Sequence, residues 1–387
     1  MSEIKFSNFI NEDGSGGPDL VGVTTFTSPY YFVPPSGTTA QRPSGEGLAP
    51  GTLRFNTDIG RLEVWRGDHW ATILGESPNL GGGTGSNTGT GARGVFAGGR
   101  VASPSPANYV DTMDYVTIST LGNATTFGTL SAARAFIGAT GSSTRGILYG
   151  GSPGPTYVTT IQYFTFASTG SGATFGSVTP AAAGSFAGGG SSTRALFGGG
   201  ATPARLGVID YVTIASEGNS VRFGDLSVAR YWGTSGCVSS STRALWGGGD
   251  AAPANQSNVI DYVTISTTGN ATDFGDLTGQ GRIQASCGNS TRGVWSGGYT
   301  PITDTIQYVT IASTGNAVTF GNLSTPTLSH GGCSSSTRGI FGGGYAPSYT
   351  NTIEYITILS TGNSVDFGDL TSARAYATAC SNAHGGL

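Results

Sequence analysis

One phrase, written six times, constrains this chain more than any other feature. It reads ARGVFAGG, TRGILYGG, TRALFGGG, TRALWGGG, TRGVWSGG and TRGIFGGG. Its arginines are Arg93, Arg145, Arg194, Arg243, Arg292 and Arg338, spaced by 52, 49, 49, 49 and 46 residues. A second phrase ends in tyrosine at Tyr115, Tyr163, Tyr211, Tyr262, Tyr308 and Tyr355, so two independent rulers count the same repeat.

Each period holds four short apolar runs. In the unit of Arg145 these are AFIGATG, TRGILYGG, TIQYFTF and ATFGSV. The runs are β-branched and aromatic, turn formers separate them, and no helical periodicity intervenes, so the chain is expected to be all-β. The recurrent STGN turn supplies Gly and Asn, the residues that most readily take positive φ. In IDYVTI, Ile209, Tyr211, Val212 and Ile214 are apolar on both faces of one strand. Such a strand needs cover on both sides, which sheets packed radially in a β-propeller supply. The first unit lacks its small-residue run, and ARAYATACSNA, residues 373–383, is such a run with no unit behind it. The expected architecture is a six-bladed propeller over 93–387, closed by the C-terminal strand completing the blade begun at Arg93.

These slots resemble the kelch propeller family. A kelch blade has a double glycine closing its second strand, a tyrosine in the third, an aromatic in the fourth and an arginine leading to the next blade. Here they correspond to Gly150-Gly151, Tyr163 and Phe175, and to Gly248-Gly249, Tyr262, Phe274 and Arg282. Phenylalanine stands where kelch blades usually carry tryptophan, so the resemblance is one of architecture.

Composition removes several partners. Charged residues are 10% of the chain, against roughly 25% in ordinary soluble proteins. Net charge is −4, and Lys5 is the one lysine among 18 basic residues. No basic patch is available for nucleic acid or an anionic membrane surface. The start, MSEIKFSNFINEDGSGG, lacks the basic and apolar regions of a signal peptide, and no 18-residue apolar run suggests membrane insertion. Cys237, Cys287, Cys333 and Cys380 are too dispersed for a disulfide framework and suit a reducing cytoplasm. They share one slot ahead of the repeat arginine, which reads as packing on the channel side.

The remainder divides into residues 1–76, an extended arm with a β-meander, and 77–92, a Gly/Ser/Thr linker. GTLRFNTDIGRLEVWRGDHWATIL alternates into three strands with turns at DIGR and RGDH. The turn explains Arg66-Gly67-Asp68 without an adhesion role. So small a sheet cannot be stable alone, and Phe26, Tyr30, Tyr31, Phe32, Trp65 and Trp70 are more aromatic surface than it can cover. They are expected to form an attachment and oligomerisation surface. Residues 24–74 resemble the attachment regions of bacteriophage tail-fibre and other virion proteins, especially of marine and cyanobacterial phages. That resemblance implies a virion protein assembled in the host cytoplasm, with other virion proteins as partners and trimeric self-association through this region.

Catalysis, metal and cofactors are not expected. His69, His330 and His384 are scattered. Asp225, Asp276 and Asp369 occupy one repeated slot in separate blades, too far apart for a glycosidase pair. Asp210, Asp261 and Glu354 precede the repeat tyrosine and are expected to pair with repeat arginines such as Arg194. Variation concentrates in the loops after the double glycine, which carry the candidate ligand-binding residues Tyr109, Tyr157, Arg205, Asn255, Tyr299, Tyr345 and Tyr349. Tyrosines with polar neighbours suit a host glycan or protein surface. The expected function is a non-enzymatic tail fibre or spike displaying a propeller for host recognition. The alternatives are a capsid or baseplate decoration and a polysaccharide-degrading enzyme.

Overall fold

The repeated runs become strands in the computed structural model, which describes residues 34–43, 48–73, 92–102, 108–179, 183–202, 204–231, 236–251, 256–282, 284–299 and 301–387. Phe26, Tyr30, Tyr31, Phe32, Asn255 and the linker up to residue 91 lie outside the described residues. The chain separates into two units, Met1–Ser77 and Pro78–Leu387. Among the described residues both are built of strands, and no helix is long and apolar enough to cross a membrane.

In the first unit Leu53–Asn56, Arg61–Trp65 and Trp70–Thr72 form the antiparallel meander. A fourth strand, Ser36–Gly37, pairs parallel with Leu53–Asn56. Its buried side is polar. Glu63 is 0% exposed and accepts from Asn56 Nδ2 at 3.0 Å, from Arg54 Nη1 at 3.3 Å and from Arg42. The Arg42 guanidinium holds the Glu63 carboxyl below its ordinary range. Leu53, Leu62 and Ile73 face outward.

Among its described residues the second unit contains six four-stranded sheets, antiparallel throughout. The first joins Arg93–Ala97, Thr112–Thr117 and Thr125–Thr129 to the C-terminal strand Thr378–Ser381, in register Thr378↔Ala97 to Ser381↔Gly94. The second runs Gly138–Gly141, Arg145–Tyr149, Thr160–Thr165, Ala173–Ser177. The third runs Gly184–Gly190, Arg194–Ala201, Val208–Thr213, Val221–Asp225. The fourth runs Cys237–Ser239, Arg243–Gly247, Ser257–Thr264, Thr272–Gly281. The fifth runs Ala285–Gly288, Arg292–Ser296, Thr305–Thr310, Val318–Asn322. The sixth runs Gly331–Ser334, Arg338–Gly342, Thr352–Thr357, Val365–Asp369.

Small residues make up the leading strand of each sheet because these strands crowd together. Each lies against the leading strand of the next sheet, and the sixth returns through Thr378–Ser381 to the first. Apolar side chains fill the gaps between neighbours: Met113 and Phe127 of the first sheet meet Leu148 and Phe164 of the second. Trp246 and Trp295 are fully buried, and their indole N–H groups donate to Ala187 O at 3.0 Å and Gly236 O at 3.1 Å of the preceding sheet. Only glycine admits these rings, since a β-carbon at Gly198 or Gly247 would strike them. Truncating either indole to Ala is expected to cost about 3–5 kcal/mol.

Candidate functional site

The repeated words are latches between sheets. Arg93, Arg145, Arg194, Arg243, Arg292 and Arg338 each lie over the tyrosine of their own sheet, with guanidinium carbons 4.4 to 5.0 Å from the ring centroids. Each donates Nη1 to carbonyls ending the third strand of the next sheet: Phe166, Ile214, Ile265, Ile311, Ile358 and, from Arg338, Ile118 of the first. Arg194 therefore does not pair with the acids before the tyrosine, as the sequence suggested. The asparagine of the STGN turn is not at positive φ either; among the described residues only Phe136, Ser185, Ser329 and Tyr376 are non-glycines there. Asn Oδ1 instead accepts the N–H of the preceding sheet's last strand, as Asn219 does from Ser177 and Asn123 from Asp369.

The acids meet a different partner. In every sheet the pairing of third and fourth strands slips immediately before Asp114, Gln162, Asp210, Asp261, Gln307 or Glu354. Such a bulge re-aims the side chain. Facing it is one recurrent position ahead of the leading strand, where the residue's carbonyl accepts from the second glycine of the preceding sheet. Arg134, Ala183, Gly281, Thr327 and Arg374 make this bond to Gly99, Gly151, Gly249, Gly298 and Gly344. Arg230 takes the same place by its N–H bond to Leu206 O, the equivalent of Arg374 to Thr350 O and Thr327 to Thr303 O. Arg374 bonds Asp114 at 2.9 Å, Arg230 bonds Asp261 at 2.7 Å, and Arg134 bonds Gln162 at 2.7 Å. Arg282 is thus one residue past the position assigned to it from the kelch pattern. It pairs with Asp250 at 2.6 Å and lies over Tyr299.

Where arginine is missing, the sheets differ. At Ala183 the Tyr149 hydroxyl donates to Asp210 Oδ2 at 3.0 Å, and burial pushes the Asp210 carboxyl up to about 6. At Gly281 the facing residue is the uncharged Gln307, which accepts from Thr278. At Thr327 the facing residue is Glu354, which accepts the Ser324 N–H at 3.1 Å.

The four cysteines are buried and free. Cys237, Cys287, Cys333 and Cys380 line a common cavity among the leading strands with Gly385 and His384. Their sulfurs also wedge between sheets, Cys237 against Gly189, Cys287 against Gly339 and Cys333 against Gly94. Burial raises all four thiols, removing thiolate at neutral pH. Sequence reasoning missed the C-terminal tail here: His384 Nε2 reaches Gly141 O at 2.6 Å, and Gly385 lies against Asn289 and Ser239. Among the described residues no group of three His, Cys, Asp or Glu side chains could hold a metal ion.

The candidate ligand-binding residues belong to different sheets, and most are engaged with the framework. Tyr109 lies under Arg100, whose guanidinium is 5.3 Å from the ring. Tyr157 covers Gly184. Arg205 and Arg282 share the buried Asp250, Arg205 at 2.6 Å, which ties three successive units together. Tyr299 is exposed, and Tyr345 and Tyr349 are brought together edge to face at 5.7 Å. In the other unit Trp65 and Trp70 pair across adjacent strands, 5.6 Å apart and half-buried, and Trp70 Nε1 donates to Pro43 O. The Arg66-Gly67-Asp68 turn is exposed, and its glycine takes φ +105°. No known protein family matches the chain, and no curated protein matches it either.

Proposed function

We propose that residues 93–387 form a six-bladed kelch-like β-propeller and that the protein is a non-enzymatic structural component of a bacteriophage virion, of tail-fibre or spike type. The ring would be displayed for recognition of a host surface or its polysaccharide. The observation that carries this reading is the division of labour inside the repeat. Arginine, asparagine and double glycine are committed to sheet-to-sheet bonds that run from the first sheet to the sixth and back. The loops after the double glycine differ in every unit and carry exposed Tyr299 and Tyr345. A rigid framework bearing variable loops is the physical form of a recognition module. The outward Leu53, Leu62 and Ile73 of the small sheet support an attachment role for residues 1–76, because a four-stranded sheet with a polar inner face needs apolar cover from elsewhere. The virion setting and trimeric symmetry rest on the resemblance of residues 24–74.

Competition decides the recognition role. Purified residues 93–387, added in excess to host cells, should reduce adsorption of the phage that carries this protein. Unchanged adsorption at saturating protein would overturn host contact in favour of a decoration role.

A further inference from the structure

Glu354 occupies a position that elsewhere in the molecule receives a guanidinium. Arg374 bonds Asp114, Phe96 O and Thr112 O, the last at 3.5 Å. Arg230 repeats the set with Asp261, Trp246 O and Val259 O. One carboxylate, the carbonyl two residues before it, and the carbonyl three residues after the repeat arginine therefore make a three-acceptor cradle. The same offsets in the sixth sheet give Glu354, Thr352 and Phe341. Those three residues, with Thr327 in the arginine position, line a cavity of about 280 Å³.

The other departures from arginine are compensated, and this one is not. Asp210 has the Tyr149 hydroxyl, and Gln307 carries no charge. Among the described residues no cation pairs with Glu354, although it is 8% exposed. A second group points to a missing donor. His330 lines the same cavity, is 2% exposed, and bonds Ser296 Oγ through Nε2 at 2.9 Å while Nδ1 has no partner. With Nε2 donating to the serine, Nδ1 is a buried acceptor. A buried carboxylate whose one bond is to the Ser324 N–H lacks a counter-charge, and an unpaired ring nitrogen beside the same cavity lacks a donor; both are costly. Ser348 and Tyr349 of the variable loop complete the lining, and Ser348 is exposed, so the cavity reaches the loop side.

We propose that this cavity is a binding site for a guanidinium group, with Glu354 and the Phe341 and Thr352 carbonyls as its acceptors, in the place of the arginine that Thr327 replaces. The group would come from a small guanidine or from an arginine side chain of another molecule. The assignment rests on the slot geometry and is independent of the display role, which its failure would leave standing.

Calorimetric titration of the full chain with methylguanidinium chloride, against sodium chloride at equal ionic strength, tests it. Saturable one-to-one binding is expected, weakened at least about tenfold in Glu354→Gln, since a hydrogen bond to a charged partner is lost. Thr327→Arg should abolish binding and raise the melting temperature, because its own side chain fills the cradle. If that variant fails to fold, the near-isosteric Glu354→Gln decides alone. A Gly-Arg-Gly peptide binding more tightly than methylguanidinium would assign the source to a protein side chain, and the reverse order to a small guanidine. No saturable binding of either probe, or equal binding in Glu354→Gln, would overturn the proposal.

Discussion

Asp210 in the third sheet and Asp261 in the fourth follow the same bulge, precede the same tyrosine, and are 3% and 0% exposed. Asp261 meets Arg230, itself fully buried, at 2.7 Å and also accepts from Ser227. Asp210 meets Tyr149, whose ring stacks on Phe197 at 4.2 Å and shares an apolar cluster with Ala183. One backbone thus buries a carboxylate in two ways. Asp261 receives a counter-charge from Arg230, whereas Asp210 receives a neutral donor from the neighbouring second sheet and its proton affinity rises. The second solution ties stability to pH.

The comparison breaks most completely if an entire arginine-sealed sheet is opened. Deleting residues 373–387 removes the leading strand Thr378–Ser381 and the Arg374–Asp114 pair together, leaving Arg93–Ala97 as an unpaired edge. Cooperative thermal unfolding of the second unit should be lost, as calorimetry would show; an unchanged transition would mean that the strand contributes nothing to the stability of the first sheet.

A narrower cut separates the two solutions. Arg230→Ala leaves Asp261 buried without its cation and should cost about 3–5 kcal/mol in denaturant unfolding. Adding Asp261→Asn should recover part of that loss. Tyr149→Phe in the second sheet removes only the neutral donor to Asp210 and should cost about 1–3 kcal/mol. Equal losses would erase the distinction between the sheets.

The smallest effect carries the pH signature. The Asp210 carboxyl titrates near 6 in the folded chain against an ordinary 3.8, so its protonated form favours folding. That contribution is fully present below about pH 4 and is lost as pH rises through about 6. Asp210→Asn, which mimics the protonated acid, should therefore be more stable than the parent above pH 6, by about 2–3 kcal/mol at most. The two should converge toward pH 4. A constant difference across that range would show that Asp210 does not titrate with folding.

Much of this was legible in the sequence, and the misses have identifiable causes. The six arginines and six tyrosines located the strands, and the odd run at 373–383 located the partner of Arg93–Ala97. Opposite charges in recurrent slots suggest pairing between blades of Asp210, Asp261 and Glu354 with repeat arginines such as Arg194. Arg194 instead donates to Ile265 O of the next sheet, and within its own sheet it faces Thr213 while Asp210 faces Phe197. The signal for the true partner was present as SAAR at Arg134, SVAR at Arg230 and SAR at Arg374, three of six periods. Its absence at Thr327 was equally visible, but nothing in the sequence says that absence leaves space.

The sequence by itself determined the all-β class, the sixfold period and which strand completes the first sheet, because alternation, turn residues and repeat length are local properties that neighbours on the chain set. Only the tertiary structure decided which cation meets which carboxylate. The bulge before each acid turns its side chain toward a residue about 30 positions away, or about 260 for Asp114 and Arg374. Whether such a position is filled by guanidinium, by an aromatic hydroxyl or by a cavity depends on the volume of side chains from adjoining sheets. That volume is a property of packing in three dimensions and has no spacing along the chain.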